Sequence, residues 1–100
     1  MNTFRLTVSS PDGQVFSGQA IGLFLRGADG DLAVLAGHIP LITAVRPGEV
    51  RVELPEDAEE DWLIGETTGG LLTVGPDAVV LLTTTWKAKA IQNSELGIRN

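Results

Sequence analysis

Turn-forming residues interrupt this chain at short intervals, and that cadence constrains its fold more than any other feature. "SSPDG" (9–13), "GADGD" (27–31), "RPGE" (46–49), "GG" (69–70) and "GPD" (75–77) combine residues that fix φ, bond their own backbone or tolerate positive φ. The runs between them are short and rich in Val, Leu and Ile. "FRLTV" (4–8) alternates apolar and polar residues, which is strand spacing. "QVFSG" (14–18), "AIGLFL" (20–25), "LAVL" (32–35), "LITAV" (41–45) and "VRVEL" (50–54) follow as strand candidates. "WLIGE" (62–66), "LLTV" (71–74) and "AVVLLTT" (78–84) complete the series. Before residue 86 nothing keeps a helical period for three turns. Such a pattern belongs to an all-β sandwich or barrel. Pro47-Gly48 is the preferred central pair of a type II turn, which splays the strands it joins. Taking alternate apolar positions inward, the core is Leu6, Val8, Phe16, Ile21, Leu23, Leu25, Val34, Leu41, Val52, Leu72, Val74, Val80 and Leu82.

With 100 residues the chain makes one domain. Residues 1–85 form the sandwich and 86–100 a short tail. "WKAKAIQNSELGIRN" (86–100) contains helix-favouring Ala and Lys interrupted by Asn93, Ser94 and Gly97, and reads as a short helical turn or a frayed end. There is no cysteine, hence neither a disulfide framework nor a thiolate zinc site. No signal pattern opens the chain and no apolar run approaches the ~20 residues that cross a bilayer, so a soluble, cytoplasmic protein is expected. The net charge is −6, but six of the thirteen acids lie in "ELPEDAEED" (53–61), and the other seven are matched by seven Lys and Arg. No basic stripe remains for nucleic acid or for anionic lipid. A nearly neutral surface suits docking on another protein.

His38 is the only histidine, in "GHIPLITAVRPGEV" (37–50). It could serve as a base, hold a metal or shape a contact. No Gly-x-Ser-x-Gly elbow presents a serine to it, although a triad is assembled in space and Ser17 remains available. A zinc site would need Asp or Glu for its other ligands. "ELPEDAEED" lacks the spacing and central Gly of a calcium loop and reads better as a solvated hairpin tip. "GETTGG" (65–70) lacks the Lys-Ser/Thr and the helix of a phosphate loop and reads as a turn.

The stretch from Gly30 to Gly48 is the most specific: Gly-Asp-Leu-x-Val-Leu-x-Gly-His-x-Pro-Leu-x-Thr-Ala-x-x-Pro-Gly. It closely resembles the epsilon subunit of F-type ATP synthases. "VFSG" (15–18), "GGLLTV" (69–74) and "VVLLTTT" (79–85) resemble further segments of that family in order, so the likeness covers nearly all of residues 3–85. It implies a β-sandwich of about ten short strands with at most a short helical turn at the C-terminus. It also implies a non-catalytic central-stalk subunit that links the gamma subunit to the c-ring of a proton- or sodium-translocating synthase. No cofactor and no metal is implied. By the same resemblance, Ser10, His38 and Thr43 match positions facing gamma, and Asp31 and Ile42 match positions facing the c-ring. The implied location is the cytoplasmic side of the inner (cell) membrane, peripheral and without direct insertion.

Three departures are visible. Thr67-Thr68-Gly69-Gly70 stands where the family usually has Val-Ser-Gly-Gly. Asp31 stands where Glu is more frequent. The family's C-terminal helix pair, with its inhibitory action and, in some members, an ATP site, is not carried over to a chain of this length. The alternative function is a free-standing β-sandwich that binds a small ligand or glycan, which predicts a deep apolar cleft; a hydrolase using His38 is a third.

Overall fold

The computed structural model describes residues 2–92, and all the regular structure in them is β. Ten strands run in order: β1 (Phe4–Ser10), β2 (Gly13–Ala20), β3 (Gly22–Gly27), β4 (Gly30–Leu35), β5 (Leu41–Val45), β6 (Gly48–Glu53), β7 (Trp62–Thr67), β8 (Gly70–Val74), β9 (Ala78–Thr83) and β10 (Lys87–Gln92). They form one sheet of order β10-β7-β6-β3-β5-β8-β9-β1-β2, with β4 on the other side of β3. The sheet curls at the single register contact between β3 and β5, Gly27 opposite Val45. One layer is therefore β10-β7-β6-β3-β4 and the other β5-β8-β9-β1-β2. The inward side chains of both layers make one core, including Leu6, Val8, Leu23, Val34, Val50, Val52, Leu72 and Leu81, all fully buried. The expected all-β sandwich of about ten strands is what forms.

Local chemistry explains the connections. Ala28-Asp29 close the β3–β4 hairpin between Gly27 and Gly30. Asp12 N–H donates to Ser10 Oγ (3.3 Å), and Ser10 Oγ donates to the Gly13 carbonyl (3.3 Å), holding the β1–β2 turn. Residues 54–61 join β6 to β7, with Leu54 N–H bonded to the Asp61 carbonyl (2.9 Å), so the acidic stretch closes a hairpin, as the charge pattern suggests.

Three expectations need correction. The segment after Trp86 is a strand through Gln92, not a helical turn; Asn93, Ser94 and Gly97 lie outside the described residues. Its β10 pairs antiparallel with β7 around an irregularity at Ala88/Ala90. Trp86 explains why: its indole fills the space beside Gly65 where a Cβ would stand, and it packs against the core. Tertiary packing here overrides the helix preference of Ala and Lys. On β9 the inward residues are Val79 and Leu81, while Val80 is half-buried and Leu82 is 51% exposed, so that strand's parity is opposite to the expected one. Finally, Pro47-Gly48 is no type II turn. Gly48 has φ 152°, far from the ~80° of that turn, because β5 pairs with β8 and β6 with β3 and β7. The connection crosses from one layer to the other.

Candidate functional site: two unlike sheet faces

The two outer faces of the sandwich differ in chemistry. On the β10-β7-β6-β3-β4 face the charges are paired: across strands, Lys89 Nζ lies 3.2 Å from Glu49 and 3.5 Å from Glu66 and Arg26 Nε 3.8 Å from Asp31, and along β6, Arg51 Nε lies 4.0 Å from Glu49. The hydrogen bond and charge of Glu49, then of Glu66, raise the Lys89 pKa above its ordinary value. Arg51 lies over the Trp62 ring, 4.7 Å from its centroid, so that indole face is covered.

The β5-β8-β9 face carries no charge. Ala44 pairs with Leu71, Leu71 with Leu82, Ile42 with Thr73 and Thr73 with Val80. These side chains share the outward side, where Ile42 is 71%, Leu82 51% and Leu71 43% exposed. The face continues across β1 through Thr7 and Ser9, which pair with Val80 and Leu82. Arg5 is the one charge on this β1 side, donating to Ser17 Oγ (3.0 Å). Three large apolar side chains in one neutral patch are unusual for a solvated surface.

The residues singled out in the sequence fall into separate places. Asp31, Ile42 and Thr43 line one cleft of about 290 Å³ between the β3–β4 hairpin and β5. Thr43 Oγ1 accepts from Ala28 N–H (3.4 Å) and donates to the Ala44 carbonyl (3.1 Å), tying β5 to that hairpin. His38 lies at the other end of β5. Its N–H bonds the Leu35 carbonyl (3.0 Å) across a turn in which Gly37 has φ 85°, a value that glycine adopts without strain. His38 Nδ1 donates to the Ile39 carbonyl (2.8 Å). Its ring thus meets a backbone carbonyl rather than the carboxylate and hydroxyl of a triad. The cleft beside it, about 450 Å³, is also lined by Arg5, Gln19 and Asp77. Ser10 ends β1, level with Thr83, Gly70 and Val45, whereas His38 adjoins the row of Leu41, Val74 and Val79. At ~3.4 Å per residue the two rows are roughly 14 Å apart along the strands. Ser10 and His38 therefore bracket the apolar patch from opposite ends. Among the described residues, no three His, Cys, Asp or Glu side chains converge on a metal position.

Sequence reasoning placed Leu82 in the core, because "VVLL" (79–82) is apolar on both faces, and did not single out its outward neighbour Leu71. It also missed a threonine cluster where the chain twice crosses between layers. Thr67 and Thr83 are buried, 4% and 3% exposed, and their hydroxyls are hydrogen-bonded to each other. Gly69 N–H donates to Thr67 Oγ1 (3.0 Å). The Gly69 carbonyl accepts from Thr84 N–H (2.9 Å) and Thr84 Oγ1 (2.9 Å). Five threonines in two short runs, "TT" (67–68) and "TTT" (83–85), were the available signal.

The class defined by this fold is a β-sandwich made by curling a single ten-stranded sheet. Residues 3–89 match the model of the family described as ATP synthase, Delta/Epsilon chain, beta-sandwich domain, and the chain belongs to that family. It is 39% identical over 95 residues to an ATP synthase epsilon chain of Herminiimonas arsenicoxydans, an alignment covering 95% of this chain and 64% of that one. The chain thus spans a little under two thirds of that relative's length. Among solved structures it is similar to a chain of the Euglena gracilis mitochondrial ATP synthase (OSCP/F1/c-ring, rotational state 1), with TM-score 0.77, 22% identity, and coverage of 86% of this chain and 53% of that chain. It is also similar to a chain of the Tetrahymena thermophila mitochondrial ATP synthase (central stalk/c-ring), with TM-score 0.72, 11% identity, and coverage of 85% and 66%. These two likenesses concern the fold.

Proposed function

We propose that this chain is the sandwich of an epsilon subunit in the central stalk of a proton- or sodium-translocating ATP synthase, joining gamma to the c-ring without chemistry of its own. The observation that carries the reading is the neutral apolar patch of Ile42, Leu71 and Leu82. Its core is apolar, with hydroxyls of Thr7, Ser9 and Thr73 beside it, the composition of a protein-docking surface. In this reading gamma covers the Leu71–Leu82 part of the patch, with Ser10 and His38 at the two ends of that face and Thr43 at its β5 edge, and leaves Ile42 to the c-ring. The c-ring loops meet the neighbouring cleft at Asp31 and Ile42. The complex holds the chain peripherally at the cytoplasmic side of the membrane. The covered Trp62 face gives little support to the alternative, a glycan-stacking sandwich.

The test is co-purification with gamma. Leu71→Glu/Leu82→Glu places two carboxylates on opposed residues at the patch centre while leaving the core untouched. Gamma binding should be lost, with a melting temperature within a few degrees of the parent protein. Undiminished gamma binding by the folded double variant would refute the assignment of this face.

A further inference from the structure

We infer that His38 is a positioning residue for gamma binding, a role that rests on the rotor reading above and names its anchor. Its ring Nδ1 fixes the backbone of Ile39, and the apolar pair of Ile39 and Leu35 is what this loop offers to gamma. Ile39 is 77% exposed, more than any other large hydrophobic side chain among the described residues, and Leu35 is 50% exposed. A single apolar side chain in water needs no explanation. A backbone built to hold one in place does.

Several devices fix the chain on both sides of Ile39. Gly37, at φ 85°, turns the backbone, and the His38 N–H closes that turn on the Leu35 carbonyl (3.0 Å). Pro40 keeps the residue before it extended. The His38 ring then reaches forward, with Nδ1 donating to the Ile39 carbonyl (2.8 Å). One residue thus holds both apolar neighbours, Leu35 by its backbone N–H and Ile39 by its ring N–H. The branched Cβ of Ile39 leaves few choices at χ1. Its side chain therefore stands in water with backbone and first torsion set in advance, and little entropy is left to lose when a partner covers it.

Position and charge select gamma as the occupant. The cleft beside His38 is walled by residues 75–78, the turn joining β8 to β9, so the loop continues the Leu71–Leu82 face. The Asp31 cleft lies at the other end of β5. "LAGHIPL" (35–41) has no Asp, Glu, Lys or Arg and suits an apolar recess on a protein. The ring chemistry separates positioning from contact. With Nδ1 donating to a carbonyl, the neutral ring carries its proton there and leaves Nε2 as a bare acceptor. Positioning uses Nδ1, and direct contact with gamma would use Nε2. Asn can place its amide nitrogen near the Nδ1 position, and the longer Gln near that of Nε2.

Two measurements test this. In the free chain, proton–nitrogen correlation spectra of the neutral His38 ring should place its proton on Nδ1. A proton on Nε2 overturns the inference and leaves the rotor reading untouched. The chain and its variants are then titrated into an epsilon-depleted catalytic complex that contains gamma. Ile39→Ala should bind about tenfold to a hundredfold more weakly, the range for burying one such side chain. His38→Asn should bind almost as the parent does, and His38→Gln as weakly as His38→Ala, all with near-parent melting temperatures. Binding retained by Gln and lost by Asn would show Nε2 touching gamma and overturn the inference. So would equal binding by Asn and Gln, or undiminished binding by Ile39→Ala, including a case in which that variant loses only the c-ring. If Leu71→Glu/Leu82→Glu still abolishes binding in that event, the anchor falls and the rotor reading stands. If the double variant also binds, both fall.

Discussion

Replacing Thr67 by Val and Thr83 by Val gives two substitutions of nearly equal size and strand preference, with unequal expected consequences. Both side chains point into the sandwich from opposite layers, and each loses only its hydroxyl. Thr67 Oγ1 is the acceptor of Gly69 N–H (3.0 Å), and Gly69 is buried in a turn at φ 139°. Thr67→Val strands that donor away from water, which costs about 1–3 kcal/mol. Thr83→Val leaves the Thr67 hydroxyl with the Gly69 carbonyl at 2.8 Å as its alternative acceptor. Two other bonds are lost: that to the carbonyl of exposed Thr85 can be remade with solvent, and the long one to the Gly69 carbonyl (3.5 Å) leaves that carbonyl with both Thr84 donors. About 1 kcal/mol or less is then expected. For a domain this size each kcal/mol moves the melting temperature by about 4–8 °C. Thr67→Val should therefore melt roughly 10 °C lower, and Thr83→Val no more than roughly 5 °C lower. The double variant should lose less than the sum, because the bond between the two hydroxyls disappears only once. Calorimetry of the four proteins decides it. Equal losses, or a larger loss for Thr83→Val, would show that Gly69 N–H is not what Thr67 protects.

Leu72→Ala, at a fully buried position, should lose about 2–5 kcal/mol in urea unfolding. Gly65→Ala pushes a methyl group into the Trp86 indole, and should lower the melting temperature and red-shift the tryptophan emission. Lys89 has a folded-state pKa above its unfolded value of 10.5. Its contribution is thus fully present below that pH and fades as pH rises through the folded value; a Lys89→Met variant should show a flatter urea midpoint across that range than the parent. His38→Ala should weaken gamma binding with little change in melting. Asp31→Lys should weaken c-ring association in pull-down, and if that contact is an exposed ion pair, the difference from the parent should shrink as salt is raised.

The strands were legible because turns and alternation are local properties. "FRLTV" announces its inward Leu6 and Val8 directly. The β9 parity was not legible, since Val79 to Leu82 are all apolar and only the neighbours show that two of them face outward beside Leu71. The β10 strand was hidden for a different reason. Its Ala and Lys favour helix, and the slot at Gly65 that receives Trp86 lies more than twenty residues upstream. Of the candidate site, the resemblance singled out Ile42 as a position matching the c-ring side, and the structure puts it on the same outer face as Leu71 and Leu82. The threonine cluster escaped because a hydroxyl's burial depends on what closes over it, here two crossovers distant in sequence.

The parallel pairing of β1 with β9 has a consequence for how the molecule is made. Leu6 lies opposite Val79, so the first strand synthesised cannot find its inner neighbour until seventy-three residues later. At 5–20 residues per second that wait is about 4–15 s, far longer than the microseconds in which the β1–β2 hairpin can form and dissolve. Contacts of such long sequence separation also slow folding itself. The nascent hairpin therefore waits with both edges open, and the sheet closes only after Thr83 has left the ribosome. Any break in translation before that point releases a chain whose N-terminal strand has no place to go.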